Sequence, residues 1–191
     1  MKVLKISFLL SFLILSSCNV NNPMDLELDP AFSLAVGNKY IFDNSGYTIG
    51  SPYLANYFTY KLIISDTIAN GKQYFVFDDG MMLRSERNTV YQLLNGSERI
   101  YFSFDVEVGD IVIFEGLPYL VKEIETRDIF DQRTKVITII HANFSPDSRI
   151  QYSFARKFGL LSYHHINSNS VLNSNLMGAI INGTVYGRIL D

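Results

Sequence analysis

Few residues in this sequence are of the types that perform nucleophilic or metal chemistry. The 191 residues include one cysteine, Cys18, and three histidines. His164 and His165 are adjacent, and neighbours in a regular strand point to opposite faces, so both cannot aim at one metal. His141 could pair with one of them, but a zinc site takes roughly three or four ligands. We therefore expect surface or rim histidines and no metal site.

Asp78 and Asp79 form a carboxylate pair immediately before Gly80. Such a pair could perform acid–base catalysis or bind calcium. Aspartate followed by glycine is also typical of a tight turn, and a turn is our prediction. The motifs G-x-S-x-G and H-E-x-x-H and the P-loop do not occur. We expect no catalytic residues and no cofactor apart from a covalent lipid.

Aromatic residues offer a second kind of candidate site. The chain has 12 Tyr and 14 Phe but no Trp. Tyr57, Tyr101 and Phe75 or Phe77 fall on strand faces opposite the predicted core, so they form a candidate binding face. Aromatic residues also favour strands for packing reasons alone. Core or cross-strand packing is therefore the competing interpretation.

The N-terminal segment has the three parts of a secretory signal. Lys2 and Lys5 give a positive start, residues 6–15 are almost entirely apolar, and Ser16 and Ser17 are small. The apolar run is too short for a transmembrane helix, which needs about 20 residues. The segment therefore predicts export.

Cys18 ends this segment, and Leu15-Ser16-Ser17-Cys18 resembles the bacterial lipobox. That resemblance implies a diacylglyceryl group on the thiol and an N-acyl group after cleavage before Cys18, so residues 1–17 would be the signal peptide. Leu15, Ser16 and Ser17 would be the residues that the signal peptidase recognises. An ordinary secretory signal with an accidental cysteine is the alternative. A catalytic thiol would need a basic or helix-terminal setting, which nothing near Cys18 supplies.

The composition of the remaining chain suits one domain. Loss of residues 1–17 would take the formal charge from −3 to −5, because two lysines are removed. This acidic balance argues against binding to nucleic acid or to anionic lipid. Apolar residues make up 48% of the chain, enough for a core without disulfides. We expect a tether over residues 18–30 and a single β domain over residues 31–191.

Beyond the tether the sequence reads as short strands separated by turn signals. Asn-Gly and Asp-Gly pairs mark tight hairpin turns, and no long amphipathic helix is evident. Many short strands at regular spacing predict an all-β fold, a single antiparallel meander of hairpins that forms a barrel or a sandwich. The predicted strands are 57–65, 73–77, 81–86, 89–94, 98–104, 119–130, 134–142, 150–154 and 160–166, with a closing hairpin over 180–186.

Two of these strands alternate clearly enough to assign their faces. In 57–65 we place Phe58, Tyr60, Leu62 and Ile64 on the core face, with Thr59, Lys61 and Ser65 on the other. In 98–104 we place Ile100, Phe102 and Phe104 on one face, with Arg99, Tyr101 and Ser103 on the other.

Residues 36–42 (VGNKYIF) are echoed by residues 108–114 (VGDIVIF). Each segment places a Gly-Asn or Gly-Asp turn before an apolar strand, and a long hairpin follows each. The two segments could begin two related halves of one sheet, or they could share only what all turn–strand segments share. Both interpretations stay open, and two copies do not make a solenoid.

Several segments taken in order resemble a group of small secreted lipoproteins of the Bacteroidota. Tyr40 and Ser65 depart from that group's pattern, which favours Trp and Gly there. The resemblance implies an envelope lipoprotein of unknown role with no assigned catalytic residues. The segments are FSLAVGNKYIFD (32–43), SDTIANGKQYFVF (65–77), FDVEVGD (104–110), FGLLSY (158–163) and LMGAIINGTVYG (176–187).

These observations predict a membrane-anchored envelope lipoprotein that is a non-enzymatic binding or interaction module, with an envelope protein or a glycan as partner. The alternative is a barrel that carries a small apolar ligand, which a Phe-lined cavity of roughly several hundred Å³ would favour. A hydrolase is a third hypothesis, which a convergent Ser, His and Asp would support. Asn19 after the cysteine favours the outer membrane, and the periplasmic face and the cell surface both remain open.

Overall fold

The structure is a computed structural model of the chain. It describes residues 30–48, 50, 55–142 and 148–190. The lipobox-like residues Leu15, Ser16, Ser17 and Cys18 lie outside the described residues, as does the predicted tether up to residue 29.

The described residues form an all-β domain of thirteen strands, which confirms the predicted fold class. No helix in them could span a membrane. The strands are β1 (Lys39–Thr48), β2 (Ala55–Ala69), β3 (Lys72–Phe77), β4 (Met82–Glu86), β5 (Thr89–Leu94), β6 (Ser97–Ser103), β7 (Ile111–Phe114), β8 (Leu117–Ile129), β9 (Gln132–His141), β10 (Arg149–Ala155), β11 (Gly159–Asn167), β12 (Ser170–Ile181) and β13 (Thr184–Gly187).

The strands form one antiparallel meander that curls into a nearly closed barrel. Their order is β6-β5-β4-β3-β2-β1-β12-β11-β10-β9-β8-β7, and β13 adds to β12. The barrel closes where β1 pairs with β12. It stays open between β6 and β7, the two ends of the sheet. Of the two architectures that the sequence left open, the chain therefore adopts the barrel.

Residues 30–33 close one end of the barrel, here called the lower end. The Ala31 N–H donates to the carbonyl of Arg87 in the β4–β5 turn at 3.3 Å, and the Ser33 N–H donates to that of Lys157 in the β10–β11 turn at 3.0 Å. There the buried residues Ala31 and Phe32 cross the barrel, and Phe32 bridges to Phe158. The lower end is therefore closed by the chain's own N-terminal segment.

The two echoed sequence segments form the same local structure. The Gly37 N–H donates to the carbonyl of Ile63 at 2.8 Å, and the Gly109 N–H donates to that of Val121 at 2.9 Å. The Ile63 N–H donates back to the carbonyl of Asn38 at 2.9 Å, and the Val121 N–H donates back to that of Asp110 at 2.8 Å. A bulge directly follows both Ile63 and Val121. Strands β1–β6 and β7–β12 therefore begin as structurally equivalent halves.

Aromatic rings pack across the opening between β6 and β7. Phe102 of β6 stacks on Phe154 of β10 with ring centroids 3.8 Å apart. Tyr101 meets Phe114 of β7 edge to face at 5.1 Å. Side chains inside the barrel, rather than a backbone ladder, therefore hold these two edge strands near each other.

The face that we predicted for residues 57–65 is wrong. Ile63 is buried, and Thr59 and Lys61 line the barrel interior. The reason is that part of the barrel interior is polar. Lys61 pairs there with Asp79, and the Thr59 hydroxyl accepts a bond of 2.9 Å from the amide of Asn44. The outer face carries the exposed residues Phe58 (45%), Tyr60 (42%) and Ile64 (52%).

The prediction for residues 98–104 is correct for Phe102 and Phe104, which are buried, and wrong for Ile100, which is 59% exposed. Val90 pairs with Phe102 while the next residue of β5 pairs with Ile100, so Tyr101 is the extra residue of a bulge. A bulge re-aims side chains, and here it directs Tyr101 inward.

Candidate functional site

A cavity of about 280 Å³ lies inside the barrel. Aromatic side chains make up nine of its twenty lining residues. Ala31 and Phe32 close it at the lower end. The aromatic part of the lining is Phe32, Tyr40, Phe42, Phe77, Tyr101, Phe102, Phe104, Phe154 and Phe158.

The charged side chains of the lining come from β2 and from two hairpin turns. Lys61 lies on β2, Asp79 lies in the β3–β4 turn, and Glu115 lies in the β7–β8 turn. Gly80 has a φ of +83°, which confirms the turn predicted at Asp78 and Asp79. The cavity lining therefore combines a group of aromatic rings with three charged side chains.

Lys61 and Asp79 neutralise each other in a direct ion pair. Partial burial acts to raise the pKa of Asp79, but the hydrogen bond from the Lys61 ammonium, the positive charge of Lys61 and backbone hydrogen bonds together outweigh it. The backbone N–H of Met81 adds a second bond at 3.1 Å. The pKa of Asp79 consequently lies below its ordinary value. This pair contributes no net charge to the cavity.

Glu115 occupies a left-handed backbone position, with a φ of +51°, and Gly116 follows at +82°. Two such residues form the tight turn that joins β7 to β8. Within the described residues the Glu115 carboxylate makes no ion pair. Its one hydrogen bond is a long one of 3.4 Å from the Tyr152 hydroxyl. Glu115 is exposed, so water solvates its charge, and no cationic side chain of the cavity lining pairs with it.

The negative charge of Glu115 reaches several tyrosines. Burial, and then this charge, raises the pKa of Tyr101, Tyr152 and Tyr163 above the ordinary value. The three side chains consequently stay neutral hydroxyl donors. Tyr152 and Tyr163 are in ring contact at 4.9 Å, and Phe114 contacts both Tyr101 and Tyr152. The carboxylate thus sits beside a continuous aromatic wall.

A groove of about 580 Å³ follows the opening between β6 and β7. Tyr101, Phe102 and Glu115 line this groove and the interior cavity alike. The groove and the cavity therefore meet at these three residues, at the one side of the barrel where no strand pairing closes the wall.

The four residues predicted as a binding face do not share one surface. Tyr57 is 53% exposed, whereas Phe77 is buried and lines the cavity. Phe75 is half-buried against the core, and Tyr101 lines the cavity and the groove. The sequence identified two lining residues of the cavity, Phe77 and Tyr101, but placed them on the wrong side of the sheet.

The histidines lie where regular strands direct them. His164 pairs across to Gln151 and His165 to Ile150, so the two project to opposite faces as predicted. His141 packs its ring against Tyr119 at 5.3 Å. In the part of the chain that the structure describes, no three His, Cys, Asp or Glu side chains are grouped to hold a metal ion.

A second charged cluster lies on the face of β4 opposite the cavity, and it is internally satisfied. Arg84 donates to Glu98 at 2.5 and 2.9 Å and to Glu86 at 2.6 Å. Lys72 and Tyr74 also donate to Glu98. The guanidinium of Arg84 holds the pKa of Glu98 far below its ordinary value. This cluster links β3, β4 and β6 and has a structural role.

Sequence reasoning missed Glu115 and misplaced Lys61. The signal for Glu115 was the dipeptide Glu115-Gly116 between two apolar strands, a turn that a search for Asn-Gly and Asp-Gly passes over. No local signal marks Lys61, because the alternation of residues 57–65 alone predicts that its side chain points away from the core. Its role depends on Asp79, which comes 18 residues later.

The fold and the cavity define a nearly closed antiparallel barrel with one aromatic interior site. No family model matches the sequence, and no curated protein matches it. Among solved structures, the chain is similar to a Bacteroides fragilis protein described as a "putative exported protein with YmcC-like fold". The TM-score is 0.48 at 10% identity, over 78% of this chain and 97% of that chain. A likeness this distant carries no argument about function.

Proposed function

We propose that the chain is an envelope lipoprotein, anchored in the outer membrane by a lipid on Cys18. The support is the sequence Leu15-Ser16-Ser17-Cys18 after a short apolar run. Each buried lipid methylene contributes about 0.8 kcal/mol, so several acyl chains anchor a protein where one would not.

Fatty-acid labelling in a bacterial host tests the anchor. The wild-type chain should incorporate the label and fractionate with membranes, and Cys18→Ala should do neither. Ser16→Ala keeps a small residue at the recognition site and should still label. Absence of label on the wild type would overturn the proposal.

The β domain, we propose further, is a non-enzymatic module that binds a small, largely apolar ligand. The cavity carries this proposal. Ligand sites typically measure about 300–1,000 Å³, so a cavity of about 280 Å³ suits a ligand the size of a substituted benzene. Its lining contains no cysteine or histidine to form a nucleophile–base pair, which favours binding over catalysis.

Calorimetric titration with 2-phenylethanol tests this module. The full chain would be held in phosphatidylcholine nanodiscs, with empty nanodiscs as the blank. Val90 lines the cavity, and Val90→Phe should abolish binding because its ring occupies the space. Val108→Phe makes the same change at an exposed site and should bind like wild type. No binding by wild type, or full binding by Val90→Phe, would contradict the module.

An interaction surface is a second candidate, favoured by the exposed aromatic row Phe58 and Tyr60 on the outer face of β2. This surface would serve an envelope protein or a glycan. Capture from the native envelope extract should then fail for a Phe58→Ser/Tyr60→Ser variant and persist for Val90→Phe. The opposite pattern would assign the function to the cavity.

A further inference from the structure

The charges that line the cavity do not balance. Lys61 and Asp79 form an ion pair, so they cancel each other. Glu115 remains, exposed to solvent in the β7–β8 turn and without an ion pair among the described residues. Arg99 lines the same groove, but its guanidinium donates to Gln92. A carboxylate at the opening of an apolar cavity can pair with a positively charged group of a ligand that enters.

The surroundings of Glu115 suit an organic cation rather than a metal ion. A metal site would need several oxygen or nitrogen ligands in addition to one carboxylate. Aromatic faces instead attract ammonium groups through cation–π contact. Tyr101 lines the cavity beside Glu115, and Phe114 extends the aromatic wall from Tyr101 to Tyr152.

We infer that the cavity's ligand carries a cationic amine on an apolar body, with the amine paired to Glu115 and the body among the phenylalanines of the cavity lining. This inference rests on the proposed ligand-binding function and adds the chemical class of the ligand. Glu115 also lies where the groove between β6 and β7 meets the cavity. The amine would therefore remain near solvent at this opening while the apolar body is enclosed.

Three ligands of similar size and different charge test the inference on the full chain in phosphatidylcholine nanodiscs. They are 2-phenylethylamine, 2-phenylethanol and 3-phenylpropionate. We expect the amine to bind up to about fivefold more tightly than the alcohol, as an ion pair with an exposed carboxylate implies. The carboxylate should bind more weakly than the alcohol. Equal affinities for the amine and the alcohol would overturn the inference.

Variants at Glu115 separate this inference from the proposed function. Glu115→Gln should remove the advantage of the amine over 2-phenylethanol. Glu115→Lys should reverse the preference in favour of 3-phenylpropionate. The matched control Glu107→Gln changes an exposed carboxylate that lines neither the cavity nor the groove, and it should behave as wild type. If 2-phenylethanol binds but Glu115→Gln keeps the amine preference, only the inference fails. If none of the three ligands binds, the proposed function fails as well.

Discussion

Enlarging a side chain that faces the cavity should affect stability differently from the same change elsewhere in the core. Val90 is buried and lines the cavity, whereas Val136 is buried and does not line it. A cavity of about 150 Å³ accommodates benzene, so one of about 280 Å³ has room for a phenyl ring. We therefore compare Val90→Phe with Val136→Phe.

The expected magnitudes follow from the added atoms. Phenylalanine has four more side-chain carbons than valine, worth up to about 3 kcal/mol at about 0.8 kcal/mol per buried methylene. Ordering the larger side chain costs about 1 kcal/mol, and compactness of the unfolded chain reduces the gain further. Val90→Phe should therefore change the free energy of unfolding by between 0 and about +2 kcal/mol. Val136→Phe overpacks a filled region and should lower it by about 1–3 kcal/mol.

Urea unfolding followed by pulse proteolysis measures both variants in the full chain, since the protease reports the unfolded fraction. The midpoint for Val90→Phe should equal or exceed that of wild type, and the midpoint for Val136→Phe should fall. Equal losses in the two variants would refute the reasoning, because they would mean that the space beside Val90 is unavailable to a ring.

Three further predictions concern the frame of the barrel. Glu98 has a depressed pKa, so the stabilisation that its carboxylate contributes is present above about pH 4.3 and is lost as the pH falls through the folded-state pKa. Glu98→Gln should therefore be less stable than wild type near pH 7, and its urea midpoint should fall less than that of wild type on acidification. The Asn38 side chain donates to the carbonyl of Ser33 at 3.0 Å and accepts from the backbone N–H of Asn182 at 2.8 Å. Asn38→Ala should therefore lower the free energy of unfolding, measured by urea titration, by about 2 kcal/mol. In Gly37→Ala and Gly109→Ala the added Cβ meets open space, but the backbone φ is positive at both positions, so each variant should lower the free energy of unfolding by about 1–2 kcal/mol. Clearly unequal urea midpoints of the two variants would contradict the equivalence of the two halves.

Turn chemistry made much of the meander predictable. Asn70-Gly71, Asn95-Gly96 and Asn182-Gly183 all adopt the left-handed pairs that two-residue hairpins require. The strand 89–94 was predicted with its observed bounds. Long-range pairing was not predictable, because closure joins β1 to β12, more than 120 residues apart. Residues 43–48 and 170–175 escaped prediction because they are mostly polar, and their pairing with each other keeps them in the sheet.

The candidate site was less predictable than the fold. Alternation assigns faces correctly only while the pleat is regular, and bulges at Tyr101 and after Ile63 interrupt it. Alternation also assumes an apolar interior, whereas the interior here contains the ion pair of Lys61 and Asp79. A cavity depends on how side chains from distant strands fail to fill space, which no local pattern encodes.

The equivalence of the two halves explains where the opening lies. If β7–β12 repeat β1–β6, then β6 and β7 correspond to β12 and β1, which close the barrel. All ten residues of β1 pair with β12, but β7 has only four residues. Strand β7 is short because the turn at Glu115 and Gly116 ends it early. Glu115 lies in the turn that ends this strand, and it therefore also contributes a negative charge to the opening.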